Sequence, residues 1–197
     1  MSWNSTLEYY RVINELVAGK LGGLHSARIV LYSLNFDDIE CAQREARWND
    51  AAEIMVTAGT ALKRAGADFI LICTNTMHKV ADTVAERTQL PVLNIVDVTG
   101  SAVKERGLGK VGLLGTRFVM GERFYRDRLR GFGIDVVVPV PAEQDIVHRI
   151  IYEELCQGET KHTSRQACLR IIKGLTEQGA EGIILGCTEL PLLIRAG

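Results

Sequence analysis

The sequence predicts an α/β protein made of two doubly wound parallel-sheet domains, and three observations carry that prediction. Helix-like and strand-like segments alternate along the whole chain, the pattern of parallel strands joined by right-handed crossovers. One stretch also occurs twice, residues 65–76 (AGADFILICTNT) aligning without a gap on residues 178–189 (QGAEGIILGCTE). In both copies a helical run ends at a glycine, a short apolar run follows that suits a strand buried on both faces, and small polar residues close it. Open α/β sheets bind ligands just beyond the carboxyl ends of their strands. Two halves related by a pseudo-twofold would therefore set Thr74 and Cys187, which coincide in the alignment, on opposite sides of one cleft. The repeat alone leaves a plainer reading open, the commonest α/β unit used twice.

In order along the chain, Ser5 or Thr6 caps a helix over 7–18, which Gly22 and Gly23 break. Residues 28–34 (RIVLYSL) read as a strand, and 35–47 as a polar loop passing into a helix. Over 48–64, Ala52, Ile54, Met55, Ala58 and Leu62 recur near the 3.6 period of a helix. The first repeated strand follows, then a helix over 77–88, ended before Pro91 because proline disfavours a helical residue ahead of it. A short strand over 92–96 leads to a domain boundary, giving domains 1–97 and 98–197. The second half reads as a helix to Arg106, a strand over 110–114 and a charged helix over 121–130. A strand over 135–138, helices over 144–156 and 164–177, and the second repeated strand complete it.

The 197 residues carry a net charge of -1, which argues against a nucleic-acid surface or an anionic membrane as partner. No apolar run approaches the ~20 residues of a spanning helix. The first residues lack the basic and apolar regions of a signal peptide, so the cytoplasm is the expected location. Five scattered cysteines form no disulfide framework, and the four histidines show no ligand spacing, so no metal is expected.

Four stretches together resemble the aspartate/glutamate racemase family: Met1-Ser2-Trp3-Asn4-Ser5-Thr6, Cys73-Thr74-Asn75-Thr76-Met77-His78, Leu114-Gly115-Thr116 and Gly186-Cys187-Thr188-Glu189. The similarity spans essentially the whole chain. It implies two α/β domains with an acidic amino acid held between them, no cofactor, and a homodimer as a common assembly. Family members usually carry one cysteine just before the Asn-Thr pair and another in the Gly-Cys-Thr motif. Here the first position is Thr74, with Cys73 one residue earlier and facing the other way on a strand, where it reads as core. A Thr/Cys pair resembles the branch that favours L-aspartate and L-glutamate.

Racemisation without a cofactor removes the α-hydrogen from one face and returns a proton to the other, so two acid/base groups must flank a very weak carbon acid. Cys187 is the expected base, its thiol shifted toward thiolate by donors or a helix N-terminus. Thr74 is a poor base that can still donate, which predicts a lopsided racemase limited on the threonine side. Asn75, Thr76 and Thr188 are expected to hold the α-carboxylate at helix N-termini, with helix capping as the alternative role. Glu189 orients Cys187 or the substrate ammonium, or is a first-turn acid. Thr116 is the candidate for the distal carboxylate, although Val119 stands where relatives often have a threonine. By resemblance Met1, Trp3 and Gln43 line the substrate pocket, with Arg44 and Arg47 as nearby cations that read as surface residues. His78 reads as a packing residue or a support for Thr74.

The family normally begins with an apolar strand ahead of the Met-Ser-Trp motif and continues past the point where this sequence stops. The expectation is a fragment or a misassigned start. Two other functions fit the same residues: a single-cysteine decarboxylase or cis-trans isomerase of small dicarboxylates, and an inactive dicarboxylate-binding remnant.

Overall fold

The computed structural model describes residues 2–194, which fall into two compact units divided between Leu93 and Asn94. The division lies ahead of the boundary read at 97, because Asn94 already belongs to the second unit's first helix as its cap. Its side-chain oxygen accepts from Val96 N at 2.9 Å. Ile95 and Val96, expected as the end of the strand over 92–96, are helical behind that cap. Among the described residues no helix is long and apolar enough to cross a membrane.

In the first unit, α1 (Trp3–Leu21) starts earlier than the apolar period suggested. Buried Ser2 caps it, accepting from Ser5 N at 3.1 Å. The opening turn leaves little hydrophobic signal because Trp3 is 69% exposed. After α2 (Phe36–Arg44) and α3 (Trp48–Arg64), a 3₁₀ turn (Thr76–Val80) and α4 (Ala81–Thr88) replace the single helix expected over 77–88. Gln89 in the left-handed conformation ends α4. Ile39, Met55, Ile72, Met77 and Val84 are among the buried side chains that form this unit's core.

The strands expected in this unit form one parallel bridge, Ile70 to Val92, and no longer ladder among the described residues. A strand needs a neighbour about 4.8 Å away to satisfy its backbone, and residues 28–34 have none among the described residues. Ile29, Val30, Leu31 and Tyr32 are correspondingly exposed.

The second unit shows the predicted α/β pattern in full. Helix α5 (Ile95–Glu105) leads to strand β1 (Lys110–Gly115); α6 (Arg117–Gly121) and α7 (Arg123–Arg130) lead to β2 (Asp135–Val137). The chain continues through α8 (Pro141–Arg149), a π turn (Ile150–Glu154), a 3₁₀ turn (Leu155–Gln157) and α9 (His162–Glu177) to β3 (Gly182–Gly186) and α10 (Leu190–Leu193). The sheet is parallel, in the order β2-β1-β3. Successive residues of β1 face opposite cores, Leu113 packing with Val103, Tyr125 and Leu129, and Leu114 with Val147, Ile171 and Leu175. Helices thus cover both faces, the doubly wound arrangement. An Arg128–Asp97 pair, at 2.5 and 2.8 Å, ties α7 to α5 on one of those faces.

Two glycines set the spacing at the carboxyl edge of the sheet. Gly115 and Gly186 are register partners, and a Cβ on Gly115 would sit 2.8 Å from the backbone oxygen of Gly186, an atom unable to swing aside. Gly115→Ala is therefore expected to destabilise the fold by about 1–3 kcal/mol, the usual range for overpacking. A lowered urea midpoint with the same slope checks it.

Candidate active-site residues

The sequence candidates gather into two groups, one in each unit. In the second unit the close approach of Gly115 to Gly186 brings the next residues, Thr116 and Cys187, out of adjacent strand ends. Cys187 is buried, and its thiol donates to Glu189 Oε2 at 3.1 Å. Thr188 Oγ1 donates to the same oxygen at 2.8 Å, and Glu189 is itself buried. Of the readings for Glu189, the side-chain bond to Cys187 is the one formed here.

The thiolate expectation is corrected by this geometry. Burial first, and then the Glu189 carboxylate, push the Cys187 thiol well above its ordinary range, since both disfavour a second negative charge. Its side-chain partner is an acceptor, a backbone hydrogen bond from Glu189 offsets the rise only in part, and the following helix, α10, has only four residues, too few for a substantial dipole. The resting side chain is a thiol with a proton acceptor in contact. Glu189→Gln removes the carboxylate's contribution while burial remains. The thiol should then titrate at lower pH, and alkylation of Cys187 by iodoacetamide should begin at lower pH than in the parent protein. An unmoved or upward-shifted profile would contradict the assignment.

Thr188 does not cap α10, because its hydroxyl goes to Glu189. Thr116 does cap α6: its hydroxyl oxygen accepts from Val119 N at 3.3 Å. Val119 is fully buried in the core and offers no side-chain donor in place of the family threonine.

In the first unit Thr74 lies half-buried where the chain leaves the Ile70 bridge, followed by buried Asn75 and Thr76 at the start of the 3₁₀ turn. The loop is braced. Thr74 N donates to Ile72 O at 2.8 Å, and His78 Nδ1 lies 2.7 Å from Thr74 O, so the carbonyl requires the proton on Nδ1. His78 N also donates to Asn75 O at 3.1 Å, which makes buried His78 a support for the Thr74 backbone. Asn75 precedes the turn without a side-chain capping bond. The helix N-terminus expected there is one short 3₁₀ turn, too short for a substantial dipole.

Gln43 is buried beneath this loop, its Nε2 3.0 Å from Met77 Sδ. Trp3, by contrast, is mostly exposed, and Met1 lies outside the described residues. Cys73 is half-buried against α1, its thiol pushed up by burial and eased back by a hydrogen bond with Thr6. Tyr9 on the same helix has its phenol raised to about 12, by burial first and the neighbouring Cys73 second. Arg44 and Arg47 are surface residues, as read, engaged by Glu40 and by Glu45 and Asp50 respectively.

One group escaped the sequence reading. The π turn and the 3₁₀ turn after α8 interrupt the helix expected over 144–156 and put Cys156 within the field of Glu189. Burial, with Glu189 second, raises its thiol to about 12. Helical periodicity carries no signal for such a break. Among the described residues, no group of three or more His, Cys, Asp or Glu could hold a metal ion.

The sequence profile of a family described as Asp/Glu/hydantoin racemase matches residues 1–196. A protein of Yersinia pestis, provisionally named an Asp/Glu racemase, has a crystal structure that superposes with a TM-score of 0.91 at 51% identity, over 99% of this chain and 85% of that one. An aspartate racemase homologue from Pyrococcus horikoshii superposes with a TM-score of 0.81 at 37% identity, over 98% of this chain and 84% of that one. A glutamate racemase of Herpetosiphon aurantiacus is 34% identical over 131 residues, 65% of this chain and 49% of that protein. The chain thus spans about half the length of that glutamate racemase.

Proposed function

Because the chain belongs to the Asp/Glu/hydantoin racemase family, we propose that it interconverts the L and D forms of aspartate or glutamate by proton transfer at the α-carbon, without a cofactor. The observation that carries the reading is the Cys187–Glu189 contact, a buried thiol bonded to a buried carboxylate at a strand end. A thiol so held has a defined route to reactivity. When Glu189 takes the Sγ proton, the sulfur becomes a base in a site where few groups compete for it. When the proton returns, the thiol is the acid for the reverse step.

Thr74 serves the other face of the substrate in this reading. Its hydroxyl ionises poorly, so its competence depends on placement, and the His78 bond to its carbonyl supplies a fixed backbone. Asn75, Thr76 and Thr188 are the polar groups proposed to surround the α-carboxylate as it gains enediolate character, where one well-aimed donor is worth about 3–4 kcal/mol. Thr116 is proposed to donate to the distal carboxylate.

The single-cysteine alternatives share Cys187 but need no second acid/base. Incubation of L- and D-aspartate, L- and D-glutamate and small dicarboxylates with the native protein, no cofactor added, separates the readings. Racemisation with α-hydrogen exchange supports the proposal, whereas carbon dioxide release, double-bond isomerisation or binding without exchange rejects it.

A further inference from the structure

One residue beyond Thr116, helix α6 meets a half-buried histidine, His148 of α8, that lies outside the Cys187–Glu189 group. Its ring packs edge-on to Phe118 of α6, with centroids 6.0 Å apart, and tilted against Tyr152 of the π turn at 4.7 Å. These aromatic contacts fix where the two ring nitrogens point. Nδ1 lies 3.3 Å from the backbone nitrogen of Arg117, the first residue of α6, whose N–H donates to it. Nε2 lies 3.5 Å from Nη2 of the same arginine.

Both ring nitrogens therefore face donors, and the protonation state decides how many are answered. A neutral imidazole has one lone pair to offer, and an imidazolium has none. The Arg117 guanidinium is exposed and has Asp145 Oδ1 as a second partner at 3.3 Å, so it can turn away. The backbone N–H cannot. The neutral ring with its proton on Nε2 is the form that fits. The first N–H groups of a helix have no partner within it and need one from outside. Thr116 Oγ1 answers Val119 N and His148 answers Arg117 N, so the turn that follows Thr116 is held from two sides.

We propose that His148 is a positioning residue for substrate binding: its neutral ring fixes the first turn of α6 and so holds Thr116 where it meets the distal carboxylate. The kinetic part of this inference rests on the role proposed above for Thr116, whereas the hold on α6 does not. Among the described residues, the charged groups facing the ring are Arg117 of α6 and Asp145 of its own helix, with the Tyr152 phenol from the π turn. Burial first and Arg117 second keep the imidazole below its ordinary value of 6.5, with Asp145 opposing them. The hold is thus complete at neutral pH and is lost as the pH falls through that lowered value. The added proton leaves the Arg117 N–H without its acceptor and sets two cations side by side.

Two substitutions separate the acceptor from the ring. His148→Asn puts a carbonyl oxygen near the Nδ1 position, an acceptor that does not titrate, and His148→Phe keeps an aromatic ring with no acceptor. In a nuclear magnetic resonance titration of the whole chain toward acid, the Arg117 amide should move with the His148 ring protons at one shared midpoint. The Asn variant should show no such step. In steady-state kinetics with aspartate and glutamate, KM of the parent should rise through the same midpoint while kcat changes less. At neutral pH the Phe variant should raise KM about three- to tenfold, the effect of one lost hydrogen bond. The Asn variant should restore a near-parent KM without the acid step. If the Phe variant does not fold, the Asn variant and the parent titration decide alone. An Arg117 amide indifferent to the ring's titration would overturn the hold. A coupled amide with no KM step, or with a step that persists in the Asn variant, would overturn the positioning role. No turnover of either amino acid by the parent would reject the racemase reading, and the positioning role with it, while the amide titration still decides the hold.

Discussion

Cys187→Ala is expected to lower exchange of the substrate α-hydrogen by about a hundred- to ten-thousandfold, the range that a well-placed acid/base group contributes. The reason is local. Glu189 lies in contact with the thiol, and without the sulfur its carboxylate has no relay to the substrate carbon in the proposed mechanism. The substitution also removes a buried atom from the core, so loss of activity by itself would be ambiguous. Cys187→Ser separates the effects: it keeps nearly the same volume and the bond to Glu189, yet its hydroxyl ionises far less readily than a thiol. Urea midpoints near that of the parent with exchange still lost would assign the defect to chemistry. Parent-like exchange in either variant would remove Cys187 from the mechanism.

Thr74→Cys is expected to act in the opposite sense, raising turnover in the disfavoured direction by about ten- to a hundredfold, part of what general acid/base catalysis offers. The enantiomers have equal free energies, so kcat/KM for racemisation must be the same in both directions whatever the residues. A weak group on one face therefore shows itself in unequal kcat and KM values. The new thiol should raise kcat/KM equally both ways and bring the two kcat values together. Unchanged kcat in both directions would count against Thr74 as the second group. Cys73 does not substitute for it, since its thiol is raised by burial and bonded with Thr6 on α1.

How far the sequence reveals this arrangement depends on where each signal resides. The second unit's sheet was legible because β1 and β3 are short apolar runs ended by Gly115 and Gly186, and the helices around them keep their period. The first unit's strands were not, because a strand is defined by a partner, and residues 28–34 have the composition of a strand but no bonded neighbour among the described residues. Glu189 stood in the sequence with several possible roles, orienting Cys187, orienting the substrate ammonium or serving as a first-turn acid, and the side-chain hydrogen bond to Cys187 becomes visible only in the structure. The rise in the thiol's pKa was illegible for the same reason, since desolvation comes from distant residues such as those of α9 that share its core. Cys156 was hidden by a helix that looks continuous in sequence and breaks into a π turn in space. The early start of α1 was hidden by the exposed indole of Trp3, which contributes no hydrophobic period.

The central claim is that one group on each face of the α-carbon performs the reaction. Its most direct test is the placement of deuterium when L-aspartate, or L-glutamate, is incubated with the protein in deuterated water and sampled early. Two groups predict D product carrying deuterium at the α-carbon while the remaining L substrate still carries protium, because each face has its own proton source. D product retaining protium, or deuterium entering the recovered L substrate as fast as D product appears, would contradict it.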